Sequence, residues 1–282
     1  MNFMVTAWAV LFVSFCPISR TILTFNCPLQ RSKSLSRDPL VIDSTTIMLT
    51  ATAPFVGSFI SVLVVRLPPA REAFWRRSQR DACGKRLSLV DLFPIVSWMW
   101  HRPISRLPLA LEIAAIAMAL WAASETSGWI LLATCILGWL LLTLAVIDFR
   151  TFLLPDELTL PMIPAGLYVA YRIEPSSLLV HALAALMCFV GSVVLAFAYR
   201  RLRGREGLGL GDAKLLAGLG AWLGPLGVPS AILFAAVLGL AFVLYRSLRG
   251  HPIALSDKIP LGTFLAAGGW LVWLYGPLIP SG

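Results

Sequence analysis

Apolar runs of membrane-crossing length, broken only by short polar loops, recur from residue 47 to residue 279, and no other feature constrains the fold as tightly. They fall at about 47–65, 107–123, 128–147, 157–171, 178–199, 213–227, 229–245 and 260–279. A hydrocarbon layer roughly 30 Å thick is crossed by about 17 to 25 apolar residues in a helix. Lipid offers no water to open backbone groups, so a crossing segment must satisfy its own hydrogen bonds. The expected fold is all-α, a polytopic membrane protein with about eight transmembrane helices. With 58% hydrophobic residues, 13% charged residues and a mean hydropathy of +0.82, a soluble core is excluded. The run at 157–171 is short and the run at 213–227 is rich in glycine, which makes these two the weakest as simple crossings.

Charge tests this threading. Of the 19 basic residues after position 47, 18 fall on alternate loops and only Arg172 falls on the opposite side. The positive-inside rule makes the basic side cytoplasmic. The net charge of +9 is therefore topogenic, and no basic stripe interleaved with aromatics points to nucleic acid. The domain reading is a first transmembrane helix at 47–65, a basic cytoplasmic loop at 66–106 and a membrane-embedded domain at 107–282. Residues 1–46 do not fit, because a span in "FMVTAWAVLFVSF" would strand Arg20, Arg31, Lys33 and Arg37 outside. They read as a doubtful extension from an upstream start, with Met48 as the expected beginning. Cys16, Cys27, Cys83, Cys135 and Cys188 stand alone, which supports neither a disulfide framework nor a metal site.

Ionisable groups at membrane depth are costly and each is a functional candidate. Four stand out: Glu112, Asp148, Asp156 and Asp212. Asp148 ends the third run in "VIDFRTFLLPDELTLP", and Asp212 opens the sixth in "GLGLGDAKLLAGLGAWLG". Two crossings separate them, so both lie at the cytoplasmic face. Two carboxylates that approach closely share a proton, one serving as base and the other as acid. Such a pair can direct water at an amide, although paired membrane carboxylates also serve proton-coupled transport. Gly209 and Gly211 remove side chains beside Asp212, where an extended peptide or a facing helix could approach.

Plainer roles compete for the other residues. Asp156 has the position of a helix cap or a supporting group. Lys214 is either a positive-inside anchor or a partner near Asp212, and Glu112 reads as structural. Gly220-x-x-x-Gly224 reads as a packing face. His101, His181 and His251 are scattered and are assigned no catalytic role.

The segment at 207–224 closely resembles the G-x-G-D stretch of the type IV prepilin peptidases, which are bacterial inner-membrane aspartic proteases, and "VIDFRTFLLPDELTLP" resembles their other aspartate motif. "GSFISVLVVRLP" at 57–68, "VDLFPIVSW", "HRPISRLPLALE" and "KIPLGTFLAAGGW" resemble the family's first span, loop flanks and last span. The resemblance implies that Asp148 and Asp212 are the catalytic pair, with Gly209, Gly211, Lys214, Asp156 and Glu112 in supporting or substrate-binding places. It implies cleavage of the leader from prepilins or type II secretion pseudopilins at the cytoplasmic face, with no cofactor for proteolysis. It also implies methylation of the new N-terminus by S-adenosylmethionine.

Two departures from the family pattern matter. Many members carry two C-x-x-C pairs in the first loop, suited to structural zinc, whereas this loop has only Cys83, so zinc is not expected. Ser61 stands where the family usually has Asn. The alternatives are a G-x-G-D intramembrane protease of another substrate and a proton-coupled transporter. A transporter predicts inverted-repeat symmetry, which the sequence does not display.

Overall fold

The computed structural model describes residues 44–77, 106–204, 209–250 and 259–278. These residues are helical apart from short connections. The elements are α1 (Ser44–Arg77), α2 (Arg106–Glu125), α3 (Gly128–Thr151), α4 (Asp156–Ile173), α5 (Leu178–Arg203), α6 (Leu210–Leu248) and α7 (Leu261–Tyr275), with one 3-10 turn at Pro175–Ser177 before α5. Among the described residues, three stretches are long and apolar enough to cross a membrane: Gly128–Thr151, Pro175–Leu202 and Leu210–Leu248. Residues 1–43 of the expected extension, and the part of the expected loop from 78 to 105, lie outside the described residues. The expected first span is the front of α1, which remains helical to Arg77.

The 39 residues of α6 are two helical legs rather than one rod. Gly224 breaks them with φ 69° and ψ −176°, a conformation closed to side-chain-bearing residues, and Pro225 follows without an N–H to continue the ladder. The first leg packs alongside α7, where a Cβ at Gly269 would lie 2.4 Å from Leu219 Cδ2. The second leg meets α7 in the reverse order: Gly227 is against Val272, and Phe242 is against Phe264. The chain therefore turns back on itself at Gly224, and the two runs at 213–227 and 229–245 become antiparallel partners. This corrects the reading of Gly220-x-x-x-Gly224 as one packing face. Gly220 does pack, since a Cβ there would sit 2.9 Å from the Ala185 backbone, but Gly224 makes the turn. The first leg, from 210 to 223, rises only about 21 Å at 1.5 Å per residue, short of a hydrocarbon layer.

Tryptophan side chains tie the bundle together across helices. Trp139 Nε1–H donates to Ala115 O at 3.2 Å (α3 to α2), and Trp121 Nε1–H donates to Tyr275 Oη at 2.9 Å (α2 to α7). Trp273 Nε1–H donates to Thr134 Oγ1 at 3.0 Å (α7 to α3), and Trp222 Nε1–H donates to Met162 O at 2.9 Å (α6 to α4). In a bundle without a hydrophobic driving force between helices, close packing and such bonds supply specificity. Glycines make room for the rings: a Cβ at Gly138 would meet Trp270 at 2.7 Å, and one at Gly166 would meet Trp222 at 2.5 Å. By contrast α5 is peripheral, with Met187, Leu195 and Phe197 exposed along it.

Candidate active site

Asp148 sits one turn before the end of α3 and is 4% exposed. A negative charge there opposes the partial charge at its own helix C-terminus. The structure resolves the conflict by sending the carboxylate to the start of α7, whose first N–H groups have no helical partners and whose cap, Pro260, has no side-chain acceptor. The Thr263 N–H donates to Asp148 Oδ2 at 2.8 Å, and the Gly262 backbone also bonds the carboxylate. Thr263 Oγ1 lies 2.9 Å from Ala145 O, to which it donates, and 3.2 Å from Asp148 Oδ2. Asp148 thus caps α7 from another helix and is oriented by it.

Asp212 is the third residue of α6, after the N-cap Gly209. Its carboxylate reaches back to the Gly209 backbone, the reciprocal half of a capping box. That bond fixes the side chain at the helix start, and Asp212 is close enough to Asp148 for the two charges to interact. Gly211 and Gly262 close the gap between α6 and α7 on either side of Leu154. A Cβ at Gly211 would lie 2.9 Å from Leu154 Cβ, and one at Gly262 would lie 3.0 Å from both Leu154 Cδ1 and Asp148 Cγ. Leu154 belongs to the turn after α3, which begins at Phe152 with φ 52°, the sole positive φ outside glycine among the described residues.

Of the sequence-nominated residues, Asp148, Asp212, Gly209 and Gly211 come together here. Lys214 and Asp156 stand beside them as an ion pair, Nζ to Oδ1 at 2.7 Å, linking the starts of α6 and α4. Asp156 is therefore not the helix cap: Pro155 holds that position, and the Asp156 carboxylate is turned to Lys214. Glu112 is elsewhere. Ser58 Oγ donates to its Oε1, and the Trp139 to Ala115 bond sets the register of α2 against α3. Glu112 is then level with about residue 142, roughly 9 Å deeper along the bundle than Asp148.

Sequence reasoning missed Gly262, Thr263 and Leu154. The available signal was a threonine in the first turn of an otherwise apolar helix, three residues after Pro260, but nothing in spacing linked it to an aspartate 115 residues earlier.

Residues 135–244 match the type IV leader peptidase family, and residues 52–117 match the bacterial Peptidase A24 N-terminal domain. A prepilin leader peptidase/N-methyltransferase of Aeromonas hydrophila is 33% identical over 261 residues, covering 79% of this chain and 88% of that protein. The chain belongs to the type IV leader peptidase family. Proteins of the same description from Burkholderia pseudomallei (strain K96243), 35% identical over 257 residues, and Pectobacterium carotovorum subsp. carotovorum, 34% identical over 245, cover 78% and 76% of the chain and 82% and 87% of their own lengths. No solved structure matches at a significant level. Both aspartates lie inside the peptidase match, whereas Gly262 and Thr263 lie beyond both matched ranges.

Proposed function

We propose that this member of the family is an aspartic endopeptidase of the bacterial inner membrane that removes the leader of type IV prepilins or type II secretion pseudopilins, with Asp148 and Asp212 as its catalytic pair. The observation that carries the proposal is their convergence from the ends of α3 and α6, with each carboxylate already oriented by backbone N–H groups. One carboxylate takes a proton from water as its oxygen attacks the scissile carbonyl carbon. The other gives a proton to the amide nitrogen as the C–N bond breaks. The same pair accounts for both proton transfers, so cleavage needs no cofactor. Lys214 and Asp156 hold the start of α6 against α4, and the side-chain-free Gly209 leaves room for an extended peptide.

In this reading the bundle has about eight membrane-embedded helices, with the two legs of α6 counted separately. The first helix at 47–65 precedes a cytoplasmic loop at 66–106, and 107–282 forms the peptidase domain. The ends of α3 and the starts of α6 and α7 face the cytoplasm, supported by the bias of basic residues to alternate loops. The relatives' names add methylation of the new N-terminus, for which S-adenosylmethionine would supply the methyl group. Glu112, a carboxylate at depth outside the pair, accepts a hydrogen bond from Ser58.

The test is cleavage of a co-expressed prepilin by wild type, Asp148→Asn and Asp212→Asn, read by mass spectrometry of the product N-terminus. Trimming by wild type alone supports the pair, and one added methyl mass reports the second activity. Trimming by either Asn variant at the wild-type rate rejects the pair.

A further inference from the structure

We infer that His181 is a positioning residue for Asp212, acting as a cap supplied by α5 to the far end of the leg that carries this aspartate. The inference rests on the catalytic pair proposed above. The first leg of α6 ends at Gly224, so its last carbonyls have no helical donors. The carbonyl of Ala221 would take its bond from residue 225, but that residue is Pro225, which has no N–H. His181 Nδ1 stands 2.9 Å from Ala221 O. A carbonyl only accepts, so Nδ1 carries the proton and His181 supplies the donor that the chain lacks.

The contact is built on three sides. His181 is half-buried in the first turn of α5, and a Cβ at Gly224 would lie 3.1 Å from its Nε2, so the ring occupies the space opened by the glycine turn. One helical turn further along α5, Gly220 lets the two backbones touch at Ala185. This pivot fixes where the leg ends and how it tilts. Asp212 lies nine residues from Ala221, about 13 Å along the helix, so a tilt of about 5° at the pivot moves its backbone by about 1 Å. A displacement of about 1 Å in a catalytic group costs on the order of a hundredfold in rate. His181 thus acts on the reaction without touching substrate, which explains a histidine at the opposite end of the leg from the acids.

The experiment compares full-length His181→Leu and His181→Asn with wild type, using precursor cleavage by purified, monodisperse protein so that rates are per folded molecule. Asparagine places an amide N–H near the position of Nδ1; leucine places none there. The expected result is a kcat at least tenfold lower for His181→Leu with KM within about twofold, and His181→Asn restored to within about threefold of wild type. A wild-type kcat per folded molecule in His181→Leu overturns the inference, as does an Asn variant no better than Leu. Asp212→Asn in the same series separates the two readings: if it cleaves normally, the catalytic pair itself fails, whereas if it is inactive and His181→Leu is not impaired, only the positioning role fails.

Discussion

The Thr263 N–H at the start of α7 donates to Asp148 Oδ2 at 2.8 Å, with both residues buried. A helix N-terminus thus holds a carboxylate that its own helix C-terminus disfavours. The Thr263 hydroxyl donates to Ala145 O at 2.9 Å, which ties the start of α7 to α3 beside the same carboxylate oxygen, 3.2 Å away. Thr263→Val keeps the N–H and the shape but removes the hydroxyl. Its kcat should fall about fivefold, near the value of about 1 kcal/mol for one neutral hydrogen bond, while Thr263→Ser stays close to wild type. Steady-state cleavage of a precursor peptide distinguishes them, and equal rates for Val and wild type would exclude a role for the hydroxyl.

Gly262 and Gly211 are both tight, but only at Gly262 is the acid itself an obstacle. An added methyl at Gly262 would lie 3.0 Å from both Asp148 Cγ and Leu154 Cδ1, so relief requires moving the acid itself. At Gly211 the obstacle is Leu154 Cβ at 2.9 Å, which no rotamer change clears, so relief moves the turn that carries Leu154 rather than Asp148 directly. Gly262→Ala should lower kcat by about a hundredfold and Gly211→Ala by clearly less, with both proteins folded. Similar losses at the two sites would show that Leu154, rather than displacement of Asp148, limits the reaction.

The bundle and the two acids were legible in the sequence because membrane burial imposes a coarse, local signal. Apolar runs mark helices, and an ionisable residue at a run's edge stands out against them. Even the glycine-rich run at 213–227, one of the two weakest, proved to be a helical leg distinct from the run at 229–245, because the Gly224–Pro225 step breaks the helix by local backbone chemistry. What could not be read was pairing between distant elements. Nothing around Asp148 names Thr263 as its donor, and nothing around His181 names Ala221 as its acceptor. Of the two places offered for Asp156, a cap or a supporting group, the cap position goes to Pro155, and Asp156 pairs with Lys214, 58 residues away, a partner that the sequence around either residue does not name.

The ion pair of Lys214 and Asp156 is partly exposed, with side chains 23% and 29% accessible, so its own stabilisation is small. Its effect should be on the orientation of the α6 start. Asp156→Asn and Lys214→Met should each slow cleavage about threefold, in the range of a partly exposed pair. The double variant should be no slower than either single, because both remove the same contact. Multiplicative losses would mean that the two residues act separately, for instance one of them on the peptide.

Gly57 and Glu112 set the approach of α1 to α2, whose adjoining ends flank the first loop. A Cβ at Gly57 would come within 2.5 Å of Glu112 Cα and 2.9 Å of Leu111 O, both backbone atoms that no rotamer change can clear. Gly57→Val must therefore separate the helices and loosen the adjacent Ser58 to Glu112 hydrogen bond. Overpacking of this kind costs about 1–3 kcal/mol, and the melting temperature in detergent should fall by about 5 °C. Glu112→Gln keeps an oxygen acceptor for Ser58 and should melt within about 1 °C of wild type, since exchanges that preserve a buried bond cost little. Because Glu112 lies roughly 9 Å along the bundle from Asp148, Glu112→Gln should also cleave precursor at the wild-type rate. Loss of cleavage in a stably folded Glu112→Gln protein would instead make this carboxylate part of the peptidase chemistry.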